Sequence, residues 1–388
     1  MPLRKYSEIL PIIFNTILVL SALYAPQPLL PVLSHEFAVS REAAAALTTV
    51  TFIPLALAPL AYGYLLETVS PIRVLKIAVP VLALSELFFA GSSSFSLLIT
   101  IRLLQGLLVP AILTSLMTYL SSRSTADTVQ RSMAMYIAAT IFGGFVGRAT
   151  SGMIANLFGW RFSFLALAIT LLIGFATLFR LPESSGVTMV RPQPSALLDV
   201  LRKPAFLPLY LCVFCLFLVF AAVMNFLPFR LTELSDQANE LRIGLMYSGY
   251  MMGIVTSLGA PKFVGWVKGE LRTIRIGLVA LGLTLFGLAW QQIWILFGMM
   301  FLFCAAMFLV HSTASGLVNR MAGSEHRGLT NGLYVAFYYA GGSVGSFAPG
   351  IVYRDYGWNG FLLLLFGICS FGLFCLSKTQ QATVRQET

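Results

Sequence analysis

Two stretches of the sequence repeat each other at a constant offset of 198 residues. One stretch, YIAATIFGGFVGRATSGMIANLFGW, starts at Tyr136, and the other, YVAFYYAGGSVGSFAPGIVYRDYGW, starts at Tyr334. Nine of the 25 aligned positions are identical, including several glycines and the terminal Gly-Trp pair. Because this offset is close to half of the 388 residues, the repeat predicts two homologous halves that fold into the same unit.

Composition places both units in a membrane. Of all residues 58% are hydrophobic and only 10% are charged, whereas a soluble domain has about 25% charged residues. The apolar residues form twelve runs, each long enough to cross a bilayer as a helix. We place these runs at 9–33, 42–66, 72–92, 96–120, 132–155, 161–181, 205–229, 243–266, 273–291, 293–318, 329–353 and 358–376.

The repeat and the runs together predict an all-α membrane protein with twelve transmembrane helices in two pseudo-symmetric six-helix bundles. Since six is an even number, both halves enter the membrane from the same side, as parallel repeats do. The bundles are expected at 1–181 and 205–388. Residues 182–204 are rich in proline, serine and charge, and are predicted to form a cytoplasmic linker.

The basic residues that give the chain its net charge of +10 are distributed unevenly between the two sides of the predicted membrane. With a cytoplasmic N-terminus, 18 of the 25 Lys and Arg residues fall on the cytoplasmic side and five on the other. This asymmetry follows the positive-inside rule, so it predicts cytoplasmic termini and argues against nucleic-acid binding. Cys212 and Cys215 form a CxxC within an apolar run, without further Cys or His at zinc spacing. We therefore expect neither a metal nor a cofactor.

Several motifs resemble those of the major facilitator superfamily. They are LITIRLLQG from Leu98 to Gly106, GGFVGRATSG from Gly143 to Gly152, YAPQPLLPVLSHEF from Tyr24 to Phe37, HSTAS at His311 and YGWNG at Tyr356. The third is similar to the arabinose-efflux branch of bacterial inner-membrane exporters. The resemblance implies alternating access and proton-coupled export of a small organic molecule, such as a drug, a sugar or a siderophore-like metabolite, by a monomer in the inner membrane.

The loop between the second and third runs departs from the family pattern. Gly63 is present, but Glu67 stands where the family has aspartate, and Ser-Pro-Ile replaces a basic stretch before Arg73. The resemblance assigns Gly63, Glu67 and Arg73 to a gate between the halves. In the fifth run, Arg148 follows Gly147 where antiporters of the family usually have proline.

Four charged or histidine residues lie well inside predicted spans, away from the ends of the apolar runs, where such groups are costly and often functional. They are Glu86, Arg102, Arg148 and His311. Glu86 and Arg102 lie eight residues on either side of Ser94, so an ion pair about 12 Å below that turn is expected. This pair could be structural or could release Arg102 when Glu86 is protonated; alternatively, Glu86 could face the lipid headgroups or lie nearer the surface. His311 could bind substrate, handle protons or simply pack.

The solute cavity is expected near the middle of the membrane, between the halves. Gln27 lies among prolines that interrupt the first helix, and Asn225 precedes Pro228 in the seventh. A lone amide inside a span needs a partner, so both are candidates for substrate binding. Tyr24, Tyr136, Tyr334 and Tyr338 are further candidates, although packing would also explain them. Arg148 favours an anionic or zwitterionic solute.

Glycines recur every four or five residues in both copies of the repeat. Gly143, Gly147 and Gly152 in the first half correspond to Gly341, Gly345 and Gly350 in the second half. Such spacing places them roughly on one helix face, where another backbone can approach closely and slide. They are predicted to serve helix packing and gating.

Three alternatives to proton-coupled export remain open at this point. An importer or uniporter of an anionic metabolite has the same sequence features. A membrane-embedded enzyme would need clustered acids, histidines or serines, but Glu86 and His311 lie in different halves. A receptor on this fold would carry a signalling domain, for which the tail after Ser377 is too short. An ATP-driven pump is disfavoured because the sequence has no GxxxxGK[ST] motif.

Overall fold

A computed structural model describes the backbone of residues 2–124, 126–182, 200–322 and 327–387. Side chains are described for 9–58, 62, 69–124, 131–182, 200–322 and 329–382. Within these ranges the ordered elements are helices, and no strand occurs. The predicted linker falls largely on 183–199, outside the described residues, so the division into 1–181 and 205–388 stays a prediction.

Twelve helical segments that correspond to the predicted spans can be followed through the described residues, and we number them as spans in chain order. Span 1 is interrupted by a 3₁₀ turn at Gln27–Leu29, and span 8 by another at Tyr247–Met251. The helices of spans 1 to 6 are Pro2–Tyr24 with Leu30–Glu36, Arg41–Thr68, Pro71–Gly91, Phe95–Arg123, Ala126–Phe158 and Trp160–Leu178. Those of spans 7 to 10 are Phe206–Leu234, Glu240–Met246 with Met252–Val267, Glu270–Gly287 and Ile293–Met321.

Spans 11 and 12 form one long helical stretch, Arg327–Glu387, which is broken at Gly357. Gly357 has a φ of 69°, and Gly159, its counterpart 198 residues earlier, has a φ of 91°. Both values lie in the left-handed region that glycine adopts without steric cost. Each glycine turns the chain directly before a tryptophan, Trp160 or Trp358, that lies at the start of the next span. The sequence repeat therefore marks the same corner in both halves.

The halves meet through two pairs of spans. Span 2 packs against span 11, and span 5 packs against span 8. We call the end of the bundle opposite the chain termini the distal end. There, Arg41 pairs with Glu233 and Arg354 lies 3.9 Å from Glu42, so ion pairs connect the two halves.

The loop before span 3 has a local explanation for its unusual sequence. The hydroxyl of Ser70 accepts a hydrogen bond from the backbone N–H of Arg73, and Pro71 occupies the first turn. Serine at the N-cap followed by proline is a favourable helix start. The side chain of Arg73 is exposed, whereas the surroundings of Gly63 and the side chain of Glu67 lie outside the described residues. A gate formed by these three residues stays a prediction.

The repeated glycines lie at close helix contacts. A Cβ on Gly143 would lie 2.6 Å from the carbonyl oxygen of Ile17 in span 1, and one on Gly147 would overlap the backbone of Ser21. In the second half, Gly341 and Gly345 meet the backbone of span 7 in the same way. Gly152 touches the backbone of span 8 at Glu240, and Gly350 lies beside Phe226 and Glu42. This geometry fits helix packing, and the gating role of the six glycines stays a prediction.

We predict that Gly345→Ala destabilises the protein while Gly367→Ala does not. Both glycines lie in Arg327–Glu387, so alanine brings the same gain in helix propensity, about 1 kcal/mol. A Cβ at Gly345 would overlap the Leu218 carbonyl, whereas nothing lies within 4 Å of one at Gly367. Overpacking of this kind costs about 1–3 kcal/mol. Unfolding of both variants in detergent, followed by tryptophan fluorescence, gives the comparison; equal midpoints would contradict the close approach.

Candidate functional site

Two amides from opposite halves meet in the interior of the protein. Gln27 Nε2 donates a hydrogen bond of 2.9 Å to Asn225 Oδ1, and both side chains are buried. The two residues are 198 positions apart, which is the offset of the repeat. Equivalent positions of the two halves therefore contact each other, as expected of residues that lie on the pseudo-two-fold axis.

A second pair of equivalent residues flanks these amides. Arg148 Nε donates to Gln27 Oε1 at 2.6 Å, and Asn225 Nδ2 donates to Ser346 Oγ at 2.7 Å. Arg148 and Ser346 are also 198 positions apart. Thr48 of span 2 donates to Asn225 Oδ1 at 3.0 Å. These five residues form a buried polar network that joins spans 1, 2, 5, 7 and 11, and we call it the central network.

The guanidinium of Arg148 lies in a cage of three tyrosines. Its Cζ atom is 4.1 Å from the ring centroid of Tyr24, 4.6 Å from that of Tyr250 and 5.1 Å from that of Tyr247. Its Nη1 donates to the carbonyl of Gly144 at 2.7 Å. Aromatic faces attract a desolvated cation. Within the described part of the chain no carboxylate forms an ion pair with Arg148, so a buried positive charge is left without a counter-charge.

Two members of this cage were missing from the sequence-based list of site residues. Tyr247 and Tyr250 belong to the 3₁₀ turn that interrupts span 8, and both are buried. The Tyr-x-x-Tyr spacing places them on one side of such a turn, because a 3₁₀ helix has three residues per turn. That spacing was the available signal. The apolar run around it gave no indication of the interruption itself.

Arg102 satisfies backbone carbonyls that the interruption of span 1 leaves free. Pro26 has no N–H, so the carbonyl of Ala22, four residues earlier, lacks its helical partner. Arg102 donates to that carbonyl at 3.3 Å, to Leu23 at 2.7 Å and to Leu47 of span 2 at 3.2 Å. Its side chain is 1% exposed. Arg102 thus anchors span 4 to spans 1 and 2.

The possible ion pair between Glu86 and Arg102 is not formed in this structure. The guanidinium turns towards the carbonyls of spans 1 and 2, and its remaining contact is to Gln105 Oε1 at 2.7 Å. Gln105 in turn donates to Ser85 Oγ at 3.0 Å, so a neutral chain connects the arginine to span 3. Both carboxylate oxygens of Glu86 are buried and make no hydrogen bond within the described part of the structure.

His311 and Tyr334 form a contact between spans 10 and 11. The hydroxyl of Tyr334 donates to the His311 carbonyl at 3.0 Å and lies 2.8 Å from Nδ1 of the ring. Both contacts are satisfied when Nδ1 carries the ring proton. In the first half, Tyr136 donates to the Leu113 carbonyl at 2.9 Å, and Leu113 is the counterpart of His311. Tyr136 and Tyr334 therefore make equivalent structural hydrogen bonds, each to a backbone carbonyl of the preceding span. A role of either tyrosine in substrate binding stays a prediction.

An aromatic layer lies beside the central network, displaced towards the chain termini. The ring of Tyr338 stacks on Phe217 with centroids 3.8 Å apart and lies 4.7 Å from the ring of His311. Tyr339 lies 5.7 Å from Phe52 of the other half. Tyr338, Tyr339 and His311 are partly exposed although they lie in mid-span at the interface between the halves. This arrangement provides apolar, aromatic walls next to a buried cation.

We expect the amides of Gln27 and Asn225 to be energetically coupled. Removal of one amide leaves the other, buried in an apolar interior, without its partner. In a double-mutant cycle with Gln27→Met and Asn225→Leu, the second substitution should therefore cost less when the first is present. Directly contacting residues typically show coupling of about 0.5–3 kcal/mol. Titration with sodium dodecyl sulfate gives the free energies of unfolding, and strictly additive values would contradict the bond.

Comparison with known proteins agrees with this geometry. A model of the Major Facilitator Superfamily matches residues 12–272 and 238–387. The inner membrane transport protein YnfM of Escherichia coli is 28% identical over 87% of this chain and 82% of its own length. The uncharacterized transporter BU588 of Buchnera aphidicola is 25% identical over 99% of this chain and 95% of its own length.

Solved structures share the fold. The crystal structure of a mutant of the nucleoside transporter NupG superposes with a TM-score of 0.77 at 15% identity, covering 96% of this chain and 99% of that one. The resemblance inferred from the motifs and the predicted twelve-helix fold are both confirmed. These matches are to transporters, not to enzymes. The chain belongs to the Major Facilitator Superfamily and is a multi-pass membrane transporter.

Proposed function

We propose that this transporter exports a small organic solute with an anionic group, in exchange for protons, across the bacterial inner membrane. The observation that carries the proposal is Arg148, a buried guanidinium without a carboxylate partner among the described residues. The positive-inside asymmetry supports cytoplasmic termini, and we propose that the functional unit is a monomer. Import of an anionic metabolite is the alternative, and the direction of transport in vesicles distinguishes the two.

The charge of Arg148 favours an anionic ligand. An ionised group inside a membrane protein is costly unless it is paired or faces water. Gln27, the Gly144 carbonyl and the three tyrosine faces each offset part of this cost, yet none of them carries a formal charge. A carboxylate or phosphate on the solute would supply that charge. The aromatic layer around Tyr338 would then contact the apolar part of the same molecule.

The position of Arg148 also supports alternating access. It contacts Gln27 and Tyr24 of the first half, and Tyr247 and Tyr250 of the second. A ligand that neutralises the guanidinium would compete with contacts that hold the two halves together. The ion pairs between the halves, at Arg41 with Glu233 and at Arg354 with Glu42, support a closed distal end in this conformation.

Proton coupling is best assigned to Glu86. A buried carboxylate without hydrogen bonds is stable in its protonated form, and ionisation would require a rearrangement that brings Arg102 or water to it. Arg102 holds the carbonyls of Ala22 and Leu23, which directly precede the turn that carries Gln27. A negative charge on Glu86 would attract Arg102, and would thereby act on the turn that carries Gln27 and, through Gln27, on Arg148. His311 is the second candidate, because its ring borders the aromatic layer.

Arg148→Gln should abolish the preference for anions. We expect transport of an aromatic carboxylate to fall about tenfold or more, since a hydrogen bond to a charged group contributes about 1.5–3 kcal/mol. Transport of the matching amide should change less than about twofold. Arg148→Lys keeps the charge and should retain part of the preference. Comparison of metabolites in deletion and overexpressing cells identifies the skeleton to use. Equal losses for the carboxylate and the amide would contradict the assignment.

Glu86→Gln should remove the response to a pH gradient. We expect wild-type everted vesicles to take up solute faster when their lumen is acidified, because outward proton flow then drives uptake. The variant cannot release a proton, so its uptake should be the same with and without the gradient, while solute exchange at equal pH continues. Asp236→Asn, which removes an exposed carboxylate from the distal loop, is the control and should behave as wild type. Uptake by wild type that ignores the gradient would exclude proton exchange.

A further inference from the structure

A cavity of about 530 Å³ lies near the distal end between spans 7, 8 and 10, away from the central network. Its volume falls within the range of about 300–1,000 Å³ that is typical of small-molecule sites. The walls are mainly apolar and include Leu231, Leu245, Met246, Trp294 and Phe297. Nothing in the proposed transport cycle uses this space.

The outer segment of span 8, which lines the cavity, packs against the other half of the protein. Glu240–Met246 packs against span 5, where Gly152 touches the backbone of Glu240. A Cβ on Gly244 would lie 2.9 Å from the carbonyl oxygen of Arg148, so the two backbones are in close contact. The opposite side of the segment, with Leu245 and Met246, is left facing spans 7 and 10 across the cavity.

Some side chains that line the cavity are also exposed on the outer surface of the bundle. Trp294, in the first turn of span 10, is 83% exposed, and Leu245 is 48% exposed. Tryptophan is enriched where transmembrane helices meet the headgroup region. Large apolar side chains that line a cavity and are also exposed at this depth indicate a cleft that a lipid chain can enter from the side.

The polar groups of the cavity are ordered along its depth. Arg242 lies near the distal end, where its guanidinium donates to the Gln237 carbonyl at 3.1 Å and to Gln237 Oε1 at 2.8 Å. Within the described chain it forms no ion pair. Ser248 lies deeper on the same span, and its hydroxyl is buried without a hydrogen bond to any described group. A cation outside and an unpartnered hydroxyl inside match the order of phosphate and ester oxygens in a glycerophospholipid.

We propose that this cavity binds an anionic membrane glycerophospholipid, with its phosphate at Arg242 and one acyl chain between spans 7, 8 and 10. The full-length protein is reconstituted in nanodiscs of phosphatidylcholine that contain photoactivatable phosphatidylglycerol with a diazirine on one acyl chain. Labelled residues are mapped by mass spectrometry. We expect enrichment at Leu245, Trp294 and Phe297 over other lipid-facing residues. Labels spread evenly over the outer surface would overturn the proposal.

Two variants with matched controls sharpen the test. Ser248→Trp fills the cavity and should remove the enrichment, whereas Leu283→Trp places the same side chain on an exposed helix face and should not. Arg242→Gln should reduce the preference for phosphatidylglycerol over phosphatidylcholine about fivefold, since one basic residue near an anionic surface contributes about 1 kcal/mol. Arg354→Gln, at the same end of the bundle, should leave it unchanged. An unaltered preference in Arg242→Gln would overturn the assignment of the phosphate.

A soluble competitor separates a lipid site from a site for a free phosphate compound. Glycerol 3-phosphate carries the anionic group without an acyl chain, so we expect it to leave the labelling unchanged. Complete competition by glycerol 3-phosphate would show that the cavity takes a soluble anion and would overturn the lipid assignment. Should Ser248→Trp fail to fold, the comparison of Arg242→Gln with Arg354→Gln decides the proposal.

Discussion

The requirement that backbone groups be satisfied inside the membrane determines the architecture around the interruption of span 1. Pro26 and Pro28 remove two N–H donors, which leaves carbonyls in a region where water is scarce. Arg102 of span 4 donates to Ala22 and Leu23, and Ser151 of span 5 donates to Ala25 at 2.8 Å. Hydrogen bonds to the carbonyls left free by this one interruption therefore connect spans 1, 4 and 5. That break also places Gln27 where it can reach both Asn225 and Arg148.

Features that are duplicated in both halves determine the fold, whereas residues that differ between the halves form the candidate site. The Gly-Trp corners, the close glycine contacts and the Tyr136 and Tyr334 hydrogen bonds occur twice. The ionisable residues of the candidate site lie at positions that differ between the halves. Arg148 corresponds to Ser346, His311 to Leu113, and Arg102 to Met300. A symmetric pair of cations at the Arg148 position would repel each other across the axis, and we propose that a single arginine with serine opposite provides one anion site at the centre.

The fold could be predicted from the sequence because hydropathy and the repeat both report on single helices. Gln27 and Asn225 could be found for a similar reason, since a lone amide in an apolar run requires a partner wherever that partner lies. Which groups the ionisable side chains would contact could not be predicted from the sequence. Glu86 and Arg102 were placed at one depth, but depth alone does not give the direction in which a side chain points. The free carbonyls at Pro26 gave Arg102 a better set of acceptors than one carboxylate.

Arg148 lies beside the interruptions of both span 1 and span 8. The site is therefore connected to the two spans whose helices are divided into separate segments. Tyr24 and Gln27 flank the break in span 1, while Tyr247 and Tyr250 belong to the 3₁₀ turn of span 8. A continuous helix moves as one rigid unit, whereas an interrupted helix allows its outer segment to move separately. The outer segments, Leu30–Glu36 and Glu240–Met246, both lie at the distal side. We therefore propose that an anion bound at Arg148 would act on the outer segments of spans 1 and 8 and thereby open that end.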